Sequence, residues 1–375
     1  MLYHDRDADR HVRPPLLPGR FHRWWLAFAG LLCLASLAGI VTRPDAHPVA
    51  LSSAGPTPVP TRLALTEAQL MAGPVDPRLL GFDPDKLLTD FDSGQVTRLP
   101  SGQIQRRYTI VARDKRLELA PGIFFDAWTY NDRVPGPTLR ATEGDQVQVT
   151  FVNAGSQPHS IHFHGIHPAD QDGLEPVDPG AQRIYTFTAG PAGLQLYHCH
   201  IEPLDEHIDR GLYGAFIIDP RTPRPPAHEL VMVMNAFDLN GDGENDIYAV
   251  NSVPFAYYHH PIPLVVGERV RIYLVNMTGI DPINSFHLHA NFFWLFRTGT
   301  RAQPDEYTDT VMLSQGERHI LEFTYNTPGD YMFHAHQAEF SAKGWMGCFA
   351  VHAADGTAPP AGGCTASPMV HATAP

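Results

Sequence analysis

Residues 144–155, GDQVQVTFVNAG, return at 267–279 as GERVRIYLVNMTG, and this pairing decides the architecture. In the first copy Val147, Val149 and Phe151 alternate with Gln146, Gln148 and Thr150. That period of two predicts a strand with one buried face. Two further pairs keep the same order, GAQRIYTFT at 180–188 with GERHILEFT at 316–324, and GLYGAFII at 211–218 with GWMGCFAV at 344–351. Three matches in one order predict a duplicated β-domain, 100–222 and 226–356, with the Pro-rich DPRTPRPP at 219–226 as the hinge. Short strands separated by Gly and Pro turns predict an all-β sandwich or barrel for each copy.

The composition agrees. Of 375 residues 43% are hydrophobic, enough for a sizeable core, and 35 Pro with 31 Gly suit turn-rich β structure better than helix. A formal charge of -13 argues against a nucleic-acid binder, whose affinity comes from neutralising phosphates. Four Cys are too few for a disulfide framework. Cys348 and Cys364 are as compatible with a disulfide as with free thiols.

The N-terminus is a separate unit. Trp24–Val41 is an uncharged apolar run preceded by Arg6, Arg10, Arg13, Arg20 and Arg23. Such flanks keep the leading end in the cytoplasm and export the rest. Residues 1–43 are therefore expected to be a cytoplasmic tail with a retained membrane anchor, or alternatively a cleaved signal peptide, leaving the bulk of the chain on the periplasmic or extracellular side. Residues 44–99 read as a linker and lead-in with one helical turn, and 357–375 as a tail.

Four His-x-His pairs occupy matching places in the two copies: His162/His164 and His198/His200 in the first, His287/His289 and His334/His336 in the second. On a strand, residues i and i+2 share a face, so each pair can hold a metal together. Imidazole suits copper and zinc. Cys199 lies between His198 and His200 and must point to the opposite face, so one strand serves two sites back to back. His159, Cys199 and His207 supply the two imidazoles and one thiolate of a blue-copper electron-transfer centre, with Leu212 at its axial position.

With these motifs, residues 100–356 resemble a two-domain multicopper oxidase, related to laccases and copper nitrite reductases. The resemblance implies tandem cupredoxin-like Greek-key domains. It implies one type 1 copper on His159, Cys199 and His207, one type 2 copper on His162 and His287, and two type 3 coppers on His164, His198, His200, His289, His334 and His336. It further implies electron transfer from a small-molecule or redox-protein donor through the Cys199–His bridge, reduction of O2 to water, and a homotrimer whose trinuclear clusters form between subunits. The second copy departs from the pattern: Asn284 stands for His159, Ala335 for Cys199, and Lys343 near the expected place of His207.

Other features carry less. Asp172, in DQDG after His164, is a candidate proton-relay acid or a turn residue before Gly173. Glu202 and Glu206 read as a solvated face, DLNGDGEND at 238–246 as an Asn/Gly turn rather than a Ca2+ loop, and His259 and His260 as surface or hydrogen-bonded residues. A nitrite reductase-like enzyme would leave five cluster ligands unexplained. A non-enzymatic copper or electron carrier would more naturally use Met clusters, and the nine Met here are unclustered.

Overall fold

A computed structural model describes residues 65–359 together with Cys364. The expected anchor or signal segment at 1–43 lies outside the described residues. Among the described residues no helix is long and apolar enough to cross a membrane.

The molecule is built from β-sheets with a few short helices. One sheet of the first half runs in the order Phe91–Asp92, Thr138–Thr142, Tyr213–Asp219, Gly193–His198, His162–Phe163. The other runs Gln95–Arg98, Ile104–Ala120, Gln146–Asn153, Gln182–Thr188, with Ile123–Tyr130 also paired to Ile104–Ala120. The second half repeats the plan. His228–Phe237 lies parallel to Val270–Asn276 just as Ile104–Ala120 lies parallel to Gln146–Asn153. No sheet mixes strands from 91–219 with strands from 228–352. Cys348 and Cys364 form a disulfide.

Strand Gln146–Asn153 alternates half-buried and buried residues, as its period of two requires. Its counterpart Val270–Asn276 is buried throughout, although its sequence alternates in the same way. The reason is a charge network. Arg271 is 2% exposed, yet its guanidinium meets Glu322 at 2.7 Å and Glu229 at 3.0 Å, and Tyr273 donates to Glu229 at 2.7 Å. Arg140 of the first half completes the network by pairing with Asp219 and Glu229, each at 2.7 Å. Paired and hydrogen-bonded charges can be buried where lone ones cannot.

The lead-in is more ordered than its sequence predicts. From residue 65 it forms three short helices, Glu67–Leu70, Pro77–Leu80 and Pro84–Leu87, capped by Thr66, Asp76 and Asp83. Their Leu70, Leu80 and Leu87 are buried, and burial of each such side chain contributes about 1.5–3 kcal/mol. The Leu88 carbonyl accepts from Val231 N–H, which docks this segment on the second half.

Candidate metal centre

Strand Gly193–His198 delivers the central residues. Its alternation continues through Cys199 and His200, so the thiol and the two imidazoles diverge to opposite sides. On one side the Cys199 sulfur lies 3.2 Å from His207 Nδ1, which lies 3.2 Å from His159 Nδ1. All three residues are buried, with His159 and Cys199 fully excluded from solvent. His207 rides on helix Leu204–Asp209, which returns to strand Tyr213–Asp219 through Gly211 at φ +111°. A Cβ at Gly211 would stand 2.5 Å from Val134 and 3.0 Å from the Trp128 carbonyl, so only glycine permits this return.

Two imidazole nitrogens and a soft sulfur converging in a buried pocket are the donor set that copper takes in electron-transfer sites. Leu212 is fully buried beside them, and its carbonyl accepts from Cys199 N–H at 3.0 Å. Burial pushes the Cys199 thiol up, opposed by the Ser160 N–H that donates to the sulfur. Burial, with His207 beside it, holds His159 down at about 4. Burial lowers His207 as well, so both imidazoles favour the neutral form that ligates a metal.

On the other side His162 on strand His162–Phe163 stands opposite His198 in register. His164 Nε2 and His198 Nε2 approach to 3.2 Å, and the His200 ring lies 5.4 Å from that of His162. Two of the four have their other ring nitrogen tied back. His198 Nδ1–H donates to the Cys199 carbonyl at 2.7 Å, and His162 Nδ1–H to the Asp172 carbonyl at 2.8 Å. In these two the Nε2 atom is left as the acceptor for a metal. Burial lowers His164 to about 3 and His198 to about 4.

The second half repeats the arrangement. His289 Nε2 meets His334 Nε2 at 2.9 Å, His334 Nδ1–H donates to the Ala335 carbonyl at 2.6 Å, and His287 Nδ1–H faces the Asp309 carbonyl at 3.0 Å and Thr310 Oγ1 at 2.8 Å. His336 completes this set, 5.3 Å ring to ring from His287. Among the described residues the two imidazole sets form separate groups, and His289 and His336 are exposed.

The thiol-bearing pocket has a twin without donors. Asn284 is buried and hydrogen-bonded to Thr278, and Ala335 takes the place of Cys199. Lys343 does not take the place of His207. Helix Ala338–Ala342 returns to its strand through Gly344 at φ +122° just as the first helix does through Gly211. Leu212 N–H donates to the His207 carbonyl at 3.3 Å, and Trp345 N–H to the Phe340 carbonyl at 2.9 Å. Phe340 is therefore the counterpart of His207, Trp345 that of Leu212, and Lys343 that of Arg210. The shift arises because three fewer residues separate the His pair from the glycine in the second copy.

Several residues escape a motif reading. Ser160 ties the two sides together, its Oγ accepting from His200 N–H at 2.9 Å and lying 3.8 Å from the Cys199 sulfur. Ser285 repeats this at His336 N–H, 2.8 Å. The shared serine after His159 and Asn284 was the available signal. Trp128 packs on both His159 and His207, and His167 Nε2 lies 3.5 Å from the Asp172 carboxylate, which is 3.3 Å from His162 Nδ1. Glu202 and Glu206 are exposed, with Glu206 paired to Arg210. Asp238 accepts from the N–H groups of Asn240, Gly241, Asp242 and Gly243, a self-contained turn. His260 pairs with Asp85 at 3.2 Å and joins neither imidazole set.

Two family models described as multicopper oxidase match residues 115–223 and 223–355. A crystal structure of a multicopper oxidase is 49% identical, with a TM-score of 0.73, covering 74% of this chain and 100% of that one. The chain is 31% identical over 273 residues to a probable nitrite reductase-hydroxylamine oxidoreductase fusion protein of Kuenenia stuttgartiensis, covering 64% of this chain but only 30% of that protein. It is 28% identical over 267 residues to a copper-containing nitrite reductase of Neisseria meningitidis, covering 64% and 68% respectively.

Proposed function

Because this chain belongs to the multicopper oxidase family, a family of copper oxidoreductases, we propose that it couples one-electron oxidation of a reductant to the four-electron reduction of O2 to water. The observation that carries this reading is the mirrored pair of imidazole sets, eight histidines in all. His159, Cys199 and His207 would hold the type 1 copper, with Leu212 beside it. His162 and His287 would hold the type 2 copper, and His164, His198, His200, His289, His334 and His336 the type 3 pair. Bound copper supplies one-electron redox chemistry at the thiolate centre and O2 reduction at the cluster.

The chain's own groups fit that chemistry. Ser160 fixes the Cys199–His200 peptide against both sides, and the His198 Nδ1–H bond to the Cys199 carbonyl joins the centres by a second route. Reduction of O2 takes up four protons with four electrons, and the Asp172 carboxylate beside His162 and His167 is placed to hold and pass a proton. Each imidazole set alone is half a cluster. Exposed apolar side chains accompany both, Ile166 and Leu174 in the loops after His164 and Asp172, Ile283 and Met312 on the strands beside His287. A homotrimer joining the first half of one subunit to the second half of the next would complete the clusters and cover these side chains. The arginine-flanked apolar run at 24–41 directs the copper-binding halves to the periplasmic or extracellular side, where the Cys348–Cys364 disulfide is stable.

The names of the nitrite reductase relatives favour a second reading, in which nitrite takes one electron and two protons to give nitric oxide and water. Copper analysis with paired assays separates the two. Four coppers per chain with donor-dependent O2 uptake is the expected outcome. Two coppers per chain with nitrite-dependent nitric oxide release would overturn the oxidase reading.

A further inference from the structure

We propose that Trp128 is the surface through which an electron donor meets the His159–Cys199–His207 centre, and that Arg210 holds it in place. This rests on the type 1 reading of that centre and is independent of which acceptor the cluster reduces. The ligands themselves offer a donor almost nothing to touch, since His159 is 0% and His207 4% exposed. The Trp128 indole contacts both imidazoles at steep ring angles, centroids 5.0 Å from the His159 ring and 4.7 Å from the His207 ring, and is only half-buried. It is the π-system that spans from solvent to the ligands.

The outer side is equally specific. The Arg210 guanidinium sits 4.9 Å from the indole, fixed by Glu206 at 3.0 Å and by the Asp126 carbonyl at 3.2 Å. Strand Ile123–Tyr130 turns Phe124, Asp126 and Trp128 to the same face, and Arg116 lies 4.8 Å from the Phe124 ring as Arg210 does over Trp128. Two aromatic–guanidinium pairs thus share one face of this strand, and such groups are ones on which a planar donor stacks.

Packing is the competing explanation, and the twin pocket weighs against it. Tyr248 occupies the slot of Trp128 in the second half, stacked on Phe340 at 4.0 Å with Lys343 5.8 Å from its ring. Where no metal ligand lies beneath, the ring is sealed at 1% exposure and its hydroxyl is bonded to Asp281. Above the thiolate pocket the ring stays partly exposed beneath Arg210. In the proposed step one donor molecule loses one electron, the copper gains it, and Trp128 is unchanged before and after.

The test is anaerobic reduction of the copper-loaded protein by hydroquinone, followed as loss of blue absorption, in Trp128→Leu and Trp128→Phe chains. The second-order rate should fall about tenfold in the leucine variant and less in the phenylalanine variant, which keeps a ring in the slot. Blue absorption, midpoint potential and copper content should stay unchanged. An unchanged rate overturns the proposal, as does a fall matched by a shifted potential, which would make Trp128 a packing residue. If the leucine variant fails to load copper, the phenylalanine variant carries the same test alone. Absence of blue absorption in the unaltered protein would overturn the type 1 reading itself, and with it this proposal.

Discussion

The pocket behind Gly211 and its twin behind Gly344 share a helix, a left-handed glycine return and a strand, yet only one holds metal donors. In the first, His159, His207 and Cys199 converge beside Leu212. In the second, Asn284, Phe340, Ala335 and Trp345 fill the same positions. The backbone hydrogen bonds of the glycine return match, including Cys199 N–H to the Leu212 carbonyl at 3.0 Å and Ala335 N–H to the Trp345 carbonyl at 3.2 Å. The fold therefore supplies the slot, and four side chains decide whether it binds or merely packs. Trp345 pays for filling it with a buried indole N–H that has no partner, a defect that costs about 1–3 kcal/mol. That penalty falls where apolar volume, rather than chemistry, is the requirement.

The largest effect should come from pushing the first pocket toward its twin at one atom. Cys199→Ser removes the soft ligand while keeping a small polar side chain. Blue absorption and donor-dependent turnover should disappear while most of the cluster copper stays bound, as read by absorption, oxygen uptake and elemental analysis. Persistent blue colour would break the comparison, because sulfur would then not be what separates the two pockets.

Phe340→Ala sharpens the other side. Phe340 is 7% exposed and stacked on Tyr248, so its truncation should destabilise the chain by about 3 kcal/mol in denaturant unfolding. The blue absorption of the first pocket should not change. A loss of blue colour would show that the twin does more than pack.

The smallest effect is expected at Leu212, the counterpart of Trp345. Leucine offers no donor atom, and a thioether in its place stabilises the oxidised metal. Leu212→Met should lower the midpoint potential of the blue centre with copper content intact. An unchanged or raised potential would remove Leu212 from the axial position.

Much of this arrangement was written locally. The alternation of Val147, Val149 and Phe151 declared a strand with one buried face, and the same pleat carried Cys199 and its flanking histidines to opposite sides. Duplication of the His-x-His pairs located both imidazole sets. Each of these signals spans only a few residues, and side-chain direction along an extended chain follows from covalent geometry alone. Even the donor-free character of the second pocket was legible in Asn284 and Ala335.

Tertiary structure decided what depends on distant partners. Counting from the histidines pointed to Lys343, whereas the helix return through Gly344 puts Phe340 opposite His207. Burial of both faces of Val270–Asn276 required Glu229 and Glu322 from other strands to neutralise Arg271. The lead-in gained three capped helical turns only because Leu70, Leu80 and Leu87 had a core to enter. Cys348 met Cys364 through the chain's path, and Ser160 became the link between thiol and imidazoles by reaching across to another strand. A sequence states which groups are present and which way they point; whether a donor finds a second donor or an aromatic ring is settled by packing between elements far apart along the chain.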